Sequence, residues 1–539
     1  MKKVVSLLLV LSLTMSLLAG CGESRETGNE ETKVETKDNK EAAEKQEEKE
    51  EPVVIEWLAY NPDAEPEEDA PVIKYVEEKF NVDLEVWFMA RENLHEALNI
   101  KIAGGEMPDI FKPKSGSLGN YVKQGVAGEV PRETIKEYAP DLFALYEEYY
   151  PGGEIWVRSM YEGKNYGYSG FNTFGEFPSL VIWREDWLNN LGYDEAPTTI
   201  DEFEEVLYRF AHDDPDGNGK DDTYGMSDFA FNMVFGAYGM GQLSSMSWFG
   251  TNRVMIDGKP TFACIQPETK EALAKLADWY AKGIIDPEFI TSEHTSGHWA
   301  TSQAFLNGRI GLTGRANPGH WELDEYDQRE KVEQLQANNP DGRVLFALPP
   351  VGPTGLSGTN NDGAIGSMYM FTSKATADPN KVQKILEMAN ETILDFDHAI
   401  TLSNGYEGEH FEYRDKNGYQ KAYQILPEGI HPKTLGIGVL STATNPADER
   451  EFYKAKTDDF LYLTAGRTEG MSQPKVPSTE AYSQYAPDLR RMAAEAFITI
   501  VTGEKPIEYF DEFVENYLEN GGQETIDQMQ AAYAGALGN

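Results

Sequence analysis

Two cysteines in 539 residues leave almost no thiol chemistry to the chain. One is Cys21, so a body folded from the remainder has only Cys264 and no internal disulfide. Its stability has to come from core size, with a metal ion as the one other source. Cys264 lies in Thr261-Phe262-Ala263-Cys264-Ile265, which reads as a buried strand residue and not as a nucleophile. Positive charge is scarce too: 47 Lys and Arg stand against 91 Asp and Glu, for a formal charge of -44. That balance excludes a nucleic-acid partner, whose backbone is held by Lys and Arg, and anionic bilayers repel such a surface. No Gly-x-Ser-x-Gly elbow, His-Glu-x-x-His zinc site or phosphate-binding loop occurs, and the 8 histidines are scattered. Nor is there an internal repeat of about 20 to 50 residues, which excludes a solenoid and argues against a modular adhesin.

What is present is ample material for large cores. A mass of 60.3 kDa, with 40% hydrophobic and 12% aromatic residues, fits two or three folding units. The first residues are of another kind. Lys2 and Lys3 precede an apolar run from Val4 to Leu18, the length of a signal-peptide core and too short for a stable membrane span. It ends in Leu18-Ala19-Gly20-Cys21, which resembles the bacterial lipobox; the resemblance implies cleavage after residue 20 and lipidation of Cys21. From Gly22 to Pro52 the chain is nearly devoid of apolar residues, so it reads as a solvated tether able to reach about 100 Å.

The folded part opens with Val53-Val54-Ile55-Glu56-Trp57-Leu58, a strand pattern. A helix is expected over about 70–80, a second strand over 82–88, and a helix over 93–103 that Gly104-Gly105 breaks. The alternation returns over 364–371 and 379–394 and implies mostly parallel sheet.

Seven segments, in order, resemble the signatures of family 1 extracellular solute-binding proteins. They are Gly104-Gly105-Glu106-Met107-Pro108-Asp109, Gly163-Lys164-Asn165-Tyr166-Gly167, Arg184-Glu185-Asp186-Trp187-Leu188, Pro197-Thr198-Thr199-Ile200-Asp201-Glu202-Phe203, Gly283-Ile284-Ile285-Asp286-Pro287, Phe305-Leu306-Asn307-Gly308-Arg309, and Thr502-Gly503-Glu504 with Tyr517 to Gly522. Order and length are similar to the large lipoprotein branch that includes the alginate-binding proteins of ABC importers. Each segment alone is a turn or a cap that builds scaffold. Together they imply an α/β, two-lobed periplasmic-binding-protein fold of type II, each lobe a mostly parallel sheet flanked by helices, with a cleft between. The lobes are expected over 53–170 with 366–445, and over 171–365 with 446–539, the first crossing lying near Phe171 to Ser179.

One loop has the spacing of a cation site. With Asp214 as position 1, Asp216 and Asn218 supply oxygens at positions 3 and 5, Gly219 makes the turn, and Lys220 offers its carbonyl at 7. Asp222 follows at position 9, while position 12 is Gly225 and has no side chain to offer. In the alginate-binding relatives an acid stands where this chain has Thr223, so the last donor is expected from Thr223, Asp228 or water. The implied cofactor is a structural Ca2+.

Sugar recognition needs flat apolar faces for pyranose C–H groups and planar polar groups for hydroxyls. Residues of those types in loops after strands are Tyr60, Asn61, Phe171, Asn172, Trp248, Arg315, Trp321, Tyr406 and Glu407. The resemblance implies a monomer that captures an oligosaccharide by hinge closure and passes it to the permease subunits of an ABC importer, at the outer face of the cell membrane and held there by the lipid on Cys21. The acidic surface favours uncharged sugars, with Arg184 and Arg315 as the candidates to accept a carboxylate. A lipid-anchored glycoside hydrolase is the competing reading; among 91 acids, carboxylate pairs carry no information about it.

Overall fold

The computed structural model describes residues 51–59, 64–89, 93–114, 116–171, 179–243, 246–291, 303–314, 330–361, 363, 365–416, 419–440, 471–477 and 479–537. Residues 51–539 form one compact unit.

In chain order the first elements are β1 (Val53–Leu58), α1 (Pro71–Phe80), β2 (Val82–Trp87), α2 (Leu94–Ala103), β3 (Ile110–Phe111) and β4 (Gly167–Phe171). There follow β5 (Val181–Arg184), α3 (Glu185–Asn190), α4 (Ile200–His212), β6 (Tyr224–Met226), α5 (Phe231–Ala237), α6 (Pro267–Ala281), β7 (Ile310–Gly314) and β8 (Val344–Ala347). Then come β9 (Asn360–Asn361), β10 (Ile365–Phe371), α7 (Pro379–Leu394), α8 (Phe396–Asn404), β11 (Phe411–Lys416), β12 (Tyr419–Gln424) and β13 (Met471–Ser472). The chain closes with α9 (Glu480–Val501), α10 (Tyr509–Tyr517) and α11 (Gln523–Leu537).

Local chemistry fixes these boundaries. Pro71 begins α1, where its missing N–H costs nothing, and Asn81 ends it in a left-handed conformation with φ 51°. Thr199 and Glu202 form a capping box at α4, in which the Glu202 carboxylate accepts from the Thr198 and Thr199 amides and is held down to about 2 by those bonds.

Two sheets organise the unit, one in the order β2-β1-β3-β10-β4 and the other β8-β5-β7-β6. The first buries Ile55, Trp57, Tyr168, Tyr369 and Phe371 with Ile385 of α7. The second buries Trp183, Trp187, Phe203 and Phe210, in a core that extends to Phe497 of α9 and Tyr517 of α10. Helix α11 serves both cores, with Ile526 and Met529 in the second and Ala536 in the first.

The sheets are mixed, where strand–helix alternation had implied mostly parallel ones. Parallel pairing holds for β1 with β2 and β3, and for β6 with β7. Strand β10 runs antiparallel to β3 and β4, and β5 runs antiparallel to β7 and β8. A helical crossover within one sheet returns the chain to the same end and makes a parallel neighbour. Strands β5 and β10 are instead entered from the other sheet, so their direction follows the crossing.

The signature segments are scaffold. Asp109 is fully buried, accepts from the Glu56 amide at 2.8 Å, and pairs with Lys381 of α7 at 2.7 Å. Asp286 accepts from Arg309 at 2.8 Å and so joins two of the segments. At the last one Gly521 has φ 103°, and a Cβ there would come within 2.3 Å of the Tyr485 ring.

On α8, buried His398 makes a 3.1 Å hydrogen bond to the Tyr75 hydroxyl and lies against Phe80. Burial, then the nearby Lys79 charge, lowers its pKa from 6.5 to about 4, against the opposing pull of Glu391 and Asp395. The unfolded chain therefore takes up this proton first as the pH falls. The contribution of His398 to stability is complete above pH 6.5 and is lost towards pH 4. Replacing His398→Phe, which keeps the packing, is expected to shrink the loss of thermal midpoint between those two pH values; an unchanged loss contradicts the assignment.

Candidate functional site: the facing strand edges

The registers locate two strand edges where the chain crosses. Phe171, the last residue of β4, pairs with Ile365, the first of β10, so the chain leaves and re-enters the first sheet at one edge. Met370 lies opposite Phe111, so Lys112 extends β3 towards that same edge. In the second sheet Val181 pairs with both Gly314 and Ala347, so β5 begins where β7 and β8 end. The parallel strands of both sheets thus point their carboxyl ends to the crossing, which in open α/β sheets is where ligands bind.

The first edge is cationic. The Lys112 ammonium stands 4.6 Å above the centroid of the Tyr369 ring, which is itself stacked on Tyr168 at 4.9 Å. Burial first, and then the charge of Lys433, lower the Lys112 pKa to about 8. Lys433 is placed by a short turn, Pro432–Leu435, and donates to the Gly438 carbonyl at 2.5 Å. On α2, His95 has a buried Nδ1 with no hydrogen-bond partner, and burial together with Lys114 depresses its pKa.

The second edge is built from amides and hydroxyls. Ser179 donates to Asn360 Oδ1 at 2.9 Å, and Asn232 of α5 donates to the same oxygen at 3.2 Å. Thr359 donates to the Ser179 carbonyl at 2.7 Å. Asn232 Oδ1 and Thr313 Oγ1, the latter on β7, are buried without a hydrogen-bond partner, and the buried Asp228 follows β6 at the same end. Groups of this kind can orient hydroxyls and charges. Among the described residues at these edges no nucleophile is paired with a base.

The residues anticipated from sequence divide into three sets. Tyr60, Asn61, Asn172, Arg315 and Trp321 lie outside the described residues, as does Cys21. The strands preceding Tyr60, Asn172 and Arg315, namely β1, β4 and β7, all end at the crossing edges. Trp248 falls in a short helix, Met246–Thr251, with its side chain outside the description. Phe171 is at the edge by register, but its ring is 2% exposed and packs edge-on against Tyr149 at 4.5 Å. Tyr406 uses its hydroxyl on the Pro71 carbonyl at 3.2 Å and its ring against Tyr75, while Glu407 is exposed. Arg184, offered for a carboxylate, is 1% exposed and turned inward onto Asp186 and the Trp187 ring. Lys112, Lys433, Asn232 and Thr313 were not singled out. A lysine directly after the buried pair Ile110-Phe111 was the signal available for the first of them.

In the acidic loop Asp214 accepts from the amides of Asn218 and Gly219 at 3.0 and 2.9 Å, which requires the left-handed φ of 76° at Gly219. Asn218 Nδ2 lies between Asp216 and Asp222, 2.8 and 3.1 Å from their oxygens. Burial and the charges of Asp214 and Asp222 raise the Asp216 pKa. Among the described residues no three His, Cys, Asp or Glu side chains stand at metal-holding spacing. The amide of Asn218 takes the place between carboxylates that a cation's charge would fill. The Thr223 hydroxyl is turned away, donating to the Phe210 carbonyl at 2.8 Å, and Asp228 lies beyond the far end of β6 from the loop. The residues of this loop that could hold a cation are Asp214, Asp216, Asn218 and Asp222, with the Lys220 carbonyl. Their all-oxygen chemistry fits a hard cation.

A groove of about 670 Å3 lies elsewhere, lined by Tyr485, Asp488, Arg491, Leu518, Glu519 and Glu524; none of these comes from a strand edge.

The sequence profile of the family described as bacterial extracellular solute-binding protein matches residues 72–392. The chain belongs to that family. Lipoprotein LipO of Bacillus subtilis (strain 168) is 26% identical over 497 residues, covering 87% of this chain and 89% of LipO. The polygalacturonan/rhamnogalacturonan-binding protein YtcQ of the same organism is 23% identical over 546 residues, 98% of each chain. The fructooligosaccharide ABC transporter substrate-binding protein FusA of Streptococcus pneumoniae serotype 4 is 27% identical over 240 residues, 40% of this chain and 41% of FusA. The solved structure of the alginate-binding protein AlgQ2 without calcium ion has a TM-score of 0.62 at 19% identity, covering 90% of this chain and 98% of that one. The fold is therefore the two-lobed one of periplasmic solute-binding proteins. As a solute-binding protein, the chain is not an enzyme. Among the described residues no helix is long and apolar enough to cross a membrane.

Proposed function

We propose that this solute-binding protein captures an oligosaccharide between the two crossing edges by hinge closure and delivers it to the permease of an ABC importer, acting as a monomer tethered through a lipid on Cys21. The observation that carries the reading is the second edge, where Asn232 Oδ1 and Thr313 Oγ1 are buried without a hydrogen-bond partner beside the amide and hydroxyl network on Asn360. Buried polar atoms are normally paired, and sugar hydroxyls are suited to pair them. The sugar ligands named for YtcQ and FusA support the class, and the lipobox with the name of LipO supports the anchor.

The moving parts are taken as 53–170 with 366–445 and 171–365 with 446–539, joined where Phe171 leads to Val181, Asn361 to Ile365, and Leu440 to Met471. A ligand touching both edges favours the closed state by its differential affinity, and the permease reads that state. Tyr60, Asn61, Asn172, Trp248, Arg315 and Trp321 are proposed as further contacts, since the strands before Tyr60, Asn172 and Arg315 end at these edges.

The loop from Asp214 to Asp222 is proposed to hold Ca2+, which supplies structural rigidity. Its own residues do the rest: Asp214 fixes the turn through the amides of Asn218 and Gly219, and the Asn218 amide holds Asp216 and Asp222 together by donating to both.

Two measurements test these statements. In a thermal-shift screen against neutral and acidic oligosaccharides, one glycan class is expected to raise the midpoint and be recovered uncleaved; cleavage, or no shift from any glycan, refutes the reading. Calcium is expected to stabilise the protein by mass action, about 2.7 kcal/mol at a hundredfold excess over its dissociation constant. The shift should vanish in Asp214→Asn, and its persistence there would place the ion elsewhere.

A further inference from the structure

Three stretches of chain run between the two sheets, and residues 359–361 tie them together. Ser179, just before β5, donates its amide to the Asn360 carbonyl at 2.8 Å and its hydroxyl to Asn360 Oδ1 at 2.9 Å. Thr359 donates its hydroxyl to the Ser179 carbonyl at 2.7 Å, and its own carbonyl accepts from the Met471 amide at 2.9 Å. Asn360 and Asn361 pair with Met471 and Ser472 as β9 with β13, and Met471 Sδ accepts from the Gly241 amide at 3.1 Å. Asn232 of α5 joins this junction by donating Nδ2 at 3.2 Å to the same Asn360 Oδ1. Its side chain is 1% exposed, and its Oδ1 is buried without a hydrogen-bond partner. One carboxamide therefore presents an unfilled acceptor on one side and reaches the crossing segments on the other.

An amide that accepts a hydrogen bond at its oxygen becomes a stronger donor at its nitrogen, because polarisation passes along a chain of such bonds. We infer that Asn360 is a positioning residue for ligand capture: through the chain Ser179–Asn360–Asn232, a ligand hydroxyl donating to Asn232 Oδ1 strengthens the ties among the crossing segments and selects the hinge position in which those ties are made. This rests on the oligosaccharide reading above and deepens it, by naming how occupancy of the second edge reaches the hinge. The ligand shifts the hinge only by its larger affinity for that position. Asn360 acts through Asn232 and not by touching the sugar. Its Nδ2 enters no hydrogen bond among the described residues, so an aspartate in its place keeps both bonds that Oδ1 accepts.

Calorimetric titration and small-angle X-ray scattering of the full chain test it, with fructo-, malto-, galacturonate and mannuronate oligosaccharides as probes. Asn360→Ala is expected to weaken the probe that binds by about 5-fold or more, the lower end of ordinary coupling between sites, and to shrink the compaction at saturation. Asn360→Asp should restore both. Ser179→Ala should weaken binding as well, with little further loss when it is combined with Asn360→Ala. Circular dichroism melting confirms that each variant is folded. A lower midpoint of the free Asn360→Ala protein, with affinity and compaction unchanged, shows a role in stability alone and overturns the inference. So does a failure of Asn360→Asp to restore them, or full additivity of Ser179→Ala and Asn360→Ala. In each of these cases a probe still binds the wild-type protein and the oligosaccharide reading stands, whereas no binding by any probe overturns both.

Discussion

The pairing of Phe171 with Ile365, together with that of Val181 with Gly314 and Ala347, governs the rest of the molecule. Phe171, Val181 and Ile365 are strand ends at which the chain passes from one sheet to the other. The direction of β5 and β10 follows from it, and so does the mixed character of both sheets. The same pairings gather the carboxyl ends of β1, β3, β6 and β7, and hence the loops that follow them, at the crossing. The proposed site has its two walls in different cores as a consequence of that connectivity, because neither wall is complete in one uninterrupted stretch of chain.

Electrostatics then differentiates the walls. A formal charge of -44 describes the chain as a whole, yet β3 is followed directly by Lys112 and, two residues on, Lys114. The opposite wall is neutral or acidic and holds its polar groups in a network centred on Asn360. In the acidic loop, by contrast, the Asn218 amide bridges Asp216 and Asp222, and burial, followed by the charges of Asp214 and Asp222, raises the Asp216 pKa. The two places differ in sign: one follows β3, the other is the turn between α4 and β6.

Much of this was legible in the sequence where the chemistry is local. The alternation in Val53 to Leu58, the capping residues Thr199 and Glu202, and the one-three-five spacing of Asp214, Asp216 and Asn218 depend only on near neighbours, and the structure has the strand, the capping box and the turn there. The family was legible because its seven segments are turns, caps and ion pairs whose spacing survives changes elsewhere. Long-range pairing was not. Arg184 looked available for a ligand because nothing in its neighbours shows that β5 is buried on both faces and turns the guanidinium onto Asp186. Tyr406 looked like a sugar contact because its hydrogen bond runs to Pro71, 335 positions away. Lys112 was missed for the same reason: nothing near it in sequence shows that the fold sets its ammonium over the Tyr369 ring.

The most direct test of the account is whether a bound sugar draws the two lobes together. Small-angle X-ray scattering of the protein, recorded with and without the oligosaccharide that raises its thermal midpoint, measures this as a change in radius of gyration. The account predicts that the radius falls on saturation and returns when the sugar is removed. A saturated complex with the radius of the free protein would contradict hinge closure, and with it the means by which a permease recognises the loaded state.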